Sequence, residues 1–122
     1  MSNINELVVS YVAAWNERDD GRRKELVTRT WTENGAYIDA HRHGVGHAAI
    51  DAMIKLVQQT LPNYRMRLVS GIEAHNGFAR FSWEAGGTPE APLYLGGTDV
   101  VKLADGRLDS VIGFADATPA VV

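Results

Sequence analysis

The order of hydrophobic patterns along the 122-residue chain constrains its fold more than any other feature. Three segments with helical spacing come before Pro62, and nearly all strand-like alternation follows it. Such segregation is typical of an α+β domain, with a mainly antiparallel sheet and helices on one face. The length suits one domain and is too short for two. We therefore predict a single α+β domain over residues 1–122.

Three helices are predicted. The first begins at a capping pattern at Asn3 and carries Tyr11 in the middle of its apolar stripe. Asp19-Asp20-Gly21 separates it from a second helix, Arg22 to Thr30. A third helix runs from about His47 to Leu61, because the following proline stops it.

The strands are predicted from period-two alternation and turn signals. Two hairpin turns are expected at Asn76-Gly77 and Asp105-Gly106, an earlier turn at Asn34-Gly35, and loops at residues 41–46 and 86–92. The predicted strands are Ala36–Asp39, Tyr64–Ala74, Phe78–Ala85, Leu93–Leu103 and Leu108–Phe114.

Glycines inside the strand patterns predict a strongly curved sheet. Gly71 and the pair Gly96-Gly97 indicate bulges or bends. A curved sheet wrapped over helices leaves a hollow, and the inward faces predict its lining. The residues expected to contact a substrate there are Trp15, Trp31, Val57, Leu68, Phe81, Trp83, Leu95 and Phe114, with His41 from the adjacent loop.

The bulk composition excludes several classes of protein. The 12 Lys and Arg against 15 Asp and Glu, with no basic run, argue against nucleic acid as a partner. The absence of Cys excludes disulfides, thiolate nucleophiles and sulfur metal sites. The amino terminus lacks a secretion signal and no segment is long enough to span a membrane, so we expect a soluble, cytoplasmic protein. The outward face of the sheet, with Tyr94, Val100 and Val111, predicts a homodimer.

Asp99 is the most informative candidate for a functional residue. Alternation along its strand places it on the same face as Leu95 and Val101, which points it into the core. A buried carboxylate without a cation usually has a raised pKa, so Asp99 is a candidate for a neutral acid that donates a hydrogen bond. The alternatives are a bond to backbone amides or an outward turn through a bulge.

Tyr11 and Asp39 are the other candidates. The Tyr11 ring belongs to the buried helix stripe, and its hydroxyl needs a polar partner, which is either in the pocket or a backbone carbonyl. Asp39 ends a short strand at the rim of the hollow, where it either meets a ligand or caps a turn. His41, His43 and His47 lie close in sequence, but a flexible loop without Cys is a poor metal cage. We expect no metal and no cofactor.

Five stretches together resemble a known family: Tyr11–Asn16, Ala36–Asp39, Gly46–Ile50, Thr98–Leu103 and Asp105–Leu108. Over nearly the whole chain, the sequence resembles ketosteroid isomerase and the wider nuclear transport factor 2-like superfamily, which includes SnoaL-like polyketide cyclases and members without a known activity. The resemblance implies a cystatin-like α+β barrel: three helices on a strongly curved sheet that forms a cone with an internal pocket.

The resemblance also implies roles for the three candidate residues, Asp39, Tyr11 and Asp99. Asp39 falls at the family's general base, and Tyr11 and a neutral Asp99 fall at the two donors to the enolate oxygen. The function expected is isomerisation or cyclisation of a hydrophobic carbonyl compound, with that small molecule as the main partner. The polar groups at His41, Arg42 and His43 do not suit the apolar body of a steroid. The alternative is a non-catalytic ligand-binding or dimerisation module of the same fold.

Overall fold

The computed structural model of the protein describes residues 3–86 and 95–116. Within these residues it has three α-helices, α1 (Ile4–Asn16), α2 (Asp20–Thr30) and α3 (His47–Thr60). The strands are β1 (Trp31–Ile38), β2 (His43–Val45), β3 (Met66–Leu68), β4 (Glu73–His75), β5 (Phe78–Ala85), β6 (Leu95–Ala104) and β7 (Arg107–Ala115). The predicted α+β class is confirmed.

The helices begin where their capping residues predict. The side chain of Asn3 accepts a hydrogen bond from the Glu6 backbone N–H at 2.8 Å, which satisfies an amide at the start of α1. Asp19 accepts one from the Arg22 N–H at 2.9 Å at the start of α2. α3 follows Gly46, whose φ of 89° favours glycine. All three predicted helices are confirmed, with bounds that differ by at most two residues.

The strands form one mixed, open sheet in the order β2-β1-β7-β6-β5-β3, with β4 also paired to β5. Its pairs are antiparallel except for β1 with β7, which run parallel. Both predicted hairpin turns are present: Asn76 and Gly77 have positive φ angles, as do Asp105 and Gly106. The sheet is therefore mainly antiparallel, as predicted, and β1, the first strand in the chain, pairs with β7, the last described strand.

Several local predictions about the strands are wrong. The 41–46 loop contains β2, because residues 43–45 pair with β1. Asn34-Gly35 lies within β1, where the register shifts between Trp31 and Ala36. The strand predicted over residues 64–74 is divided into β3 and β4. Residues 93–94 of the predicted fourth strand, and most of the predicted 86–92 loop, lie outside the described residues.

The glycine pair of β6 does not mark a bulge, which was one of the two roles predicted for it. Gly96 and Gly97 stay in regular register with β5, opposite Glu84 and Trp83, so neither marks a bulge in that pairing. A Cβ on Gly97 would lie 2.7 Å from the Trp83 ring. It would lie closer still to the backbone oxygen of Phe114 on β7, so the glycine is needed both for the indole over the strand and for the close approach of β7.

The core lies between the helices and the inner face of the sheet. Val111 belongs to it and is fully buried, so the prediction that it faces outward is wrong; Ile112 is the outward neighbour. Arg23 of α2 is buried and donates a hydrogen bond to Asp51 of α3 at 2.8 Å, which joins the two helices. No helix in the described part of the chain is long and apolar enough to cross a membrane.

Candidate active site

A cavity of about 80 Å³ lies between α1, α3 and the inner face of the sheet. Its wall is mainly aromatic and apolar, with Tyr11, Trp15, Tyr37, Val57, Tyr64 and Trp83 among the lining residues. The exposed side chains at its mouth come from the segment after β1, with His41, and from the sheet, with Leu95 and Phe114. A small site of this kind, apolar with a few polar groups, is typical of small-molecule binding.

Asp99 is a deeply buried polar residue in the wall of this cavity. It is 1% exposed, and its Oδ2 accepts a hydrogen bond from the Tyr11 hydroxyl at 2.6 Å. Its Oδ1 accepts another from Trp83 Nε1 at 2.9 Å. The predicted inward orientation of Asp99 is therefore correct, and the polar partner that Tyr11 required is Asp99 itself.

Strand geometry explains how Trp83 reaches Asp99. Trp83 on β5 is paired with Gly97, two residues from Asp99 on the same face of β6. With no side chain at Gly97, the indole crosses the strand diagonally and presents its N–H to the carboxylate.

The balance of these contacts raises the pKa of Asp99 to about 6. Burial raises it, the hydrogen bonds from Tyr11 and Trp83 lower it, and the negative charge of Asp39 raises it. The direction is the one predicted, but at pH 7 a pKa of about 6 leaves most of the carboxyl ionised. Burial and the neighbouring Asp99 charge also raise the pKa of the Tyr11 hydroxyl, which keeps it protonated.

Asp39 borders the same cavity in a different environment. Its Oδ1 accepts from the backbone N–H groups of His41 and Arg42, at 2.8 and 2.9 Å. Its Oδ2 accepts from the Tyr37 hydroxyl at 2.7 Å and from Arg42 Nη1 at 3.2 Å. Partial burial raises the Asp39 pKa, but these bonds and the Arg42 charge outweigh it, so the pKa is lowered overall.

Gly113 on β7 provides the space between the two acids. A Cβ at this position would lie 3.0 Å from Asp99 Oδ1, 3.1 Å from the Tyr37 hydroxyl and 3.4 Å from the Asp39 Cβ. The bare backbone of one glycine therefore brings both acids to a common wall of the cavity.

The structure brings together most of the predicted site residues. Tyr11, Asp39 and Asp99 all line this cavity, together with the predicted Trp15, Val57, Trp83, Leu95, Phe114 and His41. Phe114 is 59% exposed, and alternation along β7 places its ring on the outer face beside Ile112, so it borders only the mouth.

Three predicted lining residues do not line the cavity. Leu68 is 37% exposed, because it ends the short edge strand β3 where the chain turns away. Trp31 and Phe81 lie behind Tyr11, with ring centroids 5.4 and 5.5 Å from the tyrosine ring. They support Tyr11 from within the core.

The sequence prediction missed Tyr37, Tyr64, Arg42 and Gly113. Alternation in β1 could have identified Tyr37, which is two residues before Asp39 and on the same face. Tyr64 comes from the connection after α3, where no periodicity indicates direction. Burial and the charges of Asp99 and Asp39 raise its pKa, while Arg42 lowers it, so its hydroxyl lies in the field of all three groups.

The histidines of the 41–47 segment do not meet at one point. His47 contacts the Trp31 carbonyl through Nε2 at 3.0 Å, and His41 lies at the cavity mouth. Among residues 3–86 and 95–116, no three His, Asp or Glu side chains are grouped so that they could hold a metal ion.

The fold and this enclosed acid site define a class of protein, the α+β proteins with a cystatin-like fold. A structure of that fold from Methylobium petroleophilum matches 93% of this chain and 76% of its own, at 16% identity and a TM-score of 0.74. A suggested polyketide cyclase from Sinorhizobium meliloti matches 89% of this chain and 94% of its own, at 17% identity and a TM-score of 0.70. At these identities the likeness shows the fold alone.

One relative shows the family. A suggested isomerase of the SnoaL-like family from Agrobacterium tumefaciens is 42% identical, covers 93% of this chain and 97% of its own, and superposes with a TM-score of 0.86. The chain belongs to the SnoaL-like family. No protein-family model and no curated protein sequence matches it.

Proposed function

We propose that this protein catalyses proton transfer on a small, mainly apolar carbonyl compound, forming an enolate that isomerises or cyclises. The observation that supports this most strongly is Asp99, a buried carboxyl with a pKa of about 6 in an aromatic cavity. Such a group exchanges a proton readily near neutral pH, and perturbed carboxyls of this kind cluster at active sites.

Asp99 is the group best placed to move the proton. In its ionised form it takes a proton from the carbon next to the carbonyl, and the electron pair of that C–H bond moves onto the carbonyl oxygen. In isomerisation, Asp99 returns the proton to a different carbon. In cyclisation, the enolate carbon bonds to a second carbonyl group, whose oxygen receives the proton. Tyr11 and Trp83 fix the orientation of the carboxyl through their hydrogen bonds.

Asp39 has a supporting role in this proposal. All its strong contacts favour the ionised form, so it is a weaker base than Asp99. Its negative charge helps to raise the pKa of Asp99, and it holds Arg42 at the cavity mouth. The Tyr64 hydroxyl, which lies in the field of both acids, is a donor for the developing oxygen charge.

The size of the cavity restricts the substrate. Its volume of about 80 Å³ is roughly half that of a 150 Å³ cavity known to hold benzene. The space that residues 3–86 and 95–116 enclose is too small for a fused ring system. The reacting part of the substrate is therefore a short chain or part of a single ring, and any larger portion extends through the mouth past Arg42.

Turnover of a single-ring ketone tests the proposal. Purified protein is incubated with 3-cyclohexen-1-one, and formation of the conjugated 2-cyclohexen-1-one is followed by ultraviolet absorbance, with deuterium exchange next to the carbonyl followed by NMR. We expect activity that rises with pH to a plateau above about 6, because Asp99 must be ionised. Replacement of Asp99 by Asn should lower the rate by about 10²–10⁴-fold.

A matched control separates the site from general effects. Asp105→Asn changes an exposed carboxyl in a hairpin turn that Asn also favours, so its rate should equal the wild-type rate. If the wild-type protein produces neither isomerisation nor exchange above buffer, the catalytic proposal fails and the fold serves as a binding module.

A further inference from the structure

The connection between α3 and β3, residues 61–65, forms part of the cavity wall without belonging to a helix or a strand. Leu61 and Tyr64 line the cavity, and the Tyr64 ring packs against the Trp15 ring with centroids 6.0 Å apart. A turn bond joins the Tyr64 N–H to the Leu61 carbonyl at 2.8 Å. In a segment without helix or strand bonds, the direction of a side chain depends on what binds the backbone.

The guanidinium of Arg18 binds the carbonyl groups of this connection. Its Nη2 donates to the carbonyl oxygens of Pro62 at 3.0 Å and Tyr64 at 3.1 Å. Its Nη1 donates to the carbonyl oxygen of Gln58, in the last turn of α3, at 3.4 Å. Arg18 comes just after the end of α1, so this side chain links α1 to the end of α3 and to the segment that follows. The planar fork of a guanidinium suits several acceptors at once, unlike a lysine ammonium.

Other bonds fix the far end of the connection, where it enters β3. Asn16 donates to the Met66 carbonyl at 2.8 Å and accepts from the Met66 N–H at 2.7 Å. The Arg65 carbonyl accepts from the Gly86 N–H at 2.9 Å. These bonds hold the backbone on the β3 side of Tyr64. On the α3 side, the turn bond lies within the segment, so a bond to another element is needed to anchor it.

We propose that Arg18 is a positioning residue, which holds Tyr64 in the wall of the cavity from outside. Among residues 3–86 and 95–116, the hydrogen bonds to the carbonyl oxygens of Pro62 and Tyr64 both come from this guanidinium. Arg18 itself is exposed and is not one of the residues that line the cavity. It therefore acts through Tyr64 and not by contact with a ligand. For its effect on turnover the inference rests on the proposed function, but the position of Tyr64 is tested without substrate.

The test compares Arg18→Gln with a matched control, Arg107→Gln. The guanidinium of Arg107 also binds backbone carbonyls, those of Thr28 and Trp31, at 3.2 and 3.4 Å. Arg107 does not line the cavity either. Both variants therefore lose the same kind of arginine–carbonyl bond, but only one of them loses it beside Tyr64.

The position of Tyr64 is measured by NMR of protein labelled in its tyrosine and tryptophan rings. In the wild type and in Arg107→Gln we expect nuclear Overhauser contacts between the rings of Tyr64 and Trp15. Arg18→Gln should lose them while its circular dichroism stays unchanged. Arg18→Lys, which keeps the charge without the fork, should lose them too and decides the matter if the Gln variant does not fold. Persistence of these contacts in a folded Arg18 variant would overturn the inference.

A double-mutant cycle on turnover of 3-cyclohexen-1-one tests the consequence for the site. Arg18→Gln should lower kcat about 10-fold or more, because displacing a group by about 1 Å can cost about 10²-fold. Tyr64→Phe should lower kcat about 10²-fold by removing the donor. The double variant should be no slower than Tyr64→Phe alone, and Arg107→Gln should keep the wild-type kcat.

The outcomes separate the two proposals. An equal loss from Arg18→Gln in the wild-type and Tyr64→Phe backgrounds would show that Arg18 acts independently of Tyr64, which would overturn the inference. If the wild type has no turnover, the proposed function fails, and the ring contacts alone decide whether Arg18 positions Tyr64.

Discussion

The buried carboxyl of Asp99 leads to a specific prediction about stability. Replacing Asp99 by Asn removes the only ionisable group of that side chain and leaves its size nearly unchanged. We expect the variant to lose part of the pH dependence of the free energy of unfolding that the wild type shows between pH 4 and 7. The side chain is 1% exposed, so solvent screens this effect very little.

The magnitude follows from the shift in pKa. A rise from 3.8 to about 6 corresponds to about 3 kcal/mol, because one pKa unit is about 1.4 kcal/mol. Between these two pH values the folded protein binds the Asp99 proton more tightly than the unfolded chain does. The contribution of Asp99 to stability therefore falls as pH rises through this window and stays at its lower value above pH 6.

Other acids have the opposite effect, so the difference between two proteins is the informative quantity. Folding lowers the pKa of Asp39, so the ionised Asp39 stabilises the folded state at pH values above the pKa that it has in the unfolded chain. This contribution is lost as pH falls. Urea unfolding of the wild type and of Asp99→Asn at each pH cancels this common trend. The stability of the wild type relative to the variant should fall by most of 3 kcal/mol between pH 4 and 7.5.

The same series with Asp105→Asn, at an exposed turn, should give a difference that is constant with pH. A constant difference for Asp99→Asn as well would mean that the pKa of this carboxyl is not raised by folding, and the reasoning about the proton carrier would be refuted. Carbon-13 NMR of the Asp99 carboxyl provides a direct check, with an expected titration midpoint of about 6.

Three further changes test other parts of the structure. Gly113→Ala should lower ketone turnover at least tenfold while circular dichroism stays unchanged, because the new Cβ would lie 3.0 Å from Asp99 Oδ1; an unchanged rate would contradict the close approach. Asp51→Asn should lower the free energy of unfolding by about 1.5–3 kcal/mol in urea, since it removes one of the two carboxylates that pair with the buried guanidinium of Arg23, the other being Asp20; a loss below about 1 kcal/mol would contradict this. We expect a homodimer through the outer sheet face, so light scattering should show a dimer for the wild type and a monomer for Ile112→Lys, and a monomeric wild type would end that proposal.

The helices were predictable because their signals are local. Asn3 and Asp19 cap within three residues of themselves, and the apolar stripes repeat every turn. The errors at β2, β3 and β4 have a common cause. β2, β3 and β4 are three residues each, too short for alternation to register, and they exist because a longer strand beside them supplies hydrogen bonds.

The directions in which the side chains of Tyr11 and Asp99 point were also predictable, because they follow from the periodicity of the helix and of the strand. Their contacts were not predictable. The Trp83 bond to Asp99 depends on the register of β5 against β6 and on the missing side chain at Gly97. Tyr64 and Arg42 enter the site from irregular segments, whose direction is decided by tertiary packing.

The parallel pairing of β1 with β7 has a consequence for how the site is assembled during folding. Tyr37, which donates a hydrogen bond to Asp39, lies on a strand that is synthesised early. One of its partners in the sheet, Gly44, follows soon after, but the other is Val111 on the last described strand. Contacts so distant in sequence form only after a long loop has closed, which slows folding. While the chain emerges from the ribosome, the wall containing Gly113 is missing until β7 has been made. The two acids therefore come to face one cavity only in the final stage of sheet formation.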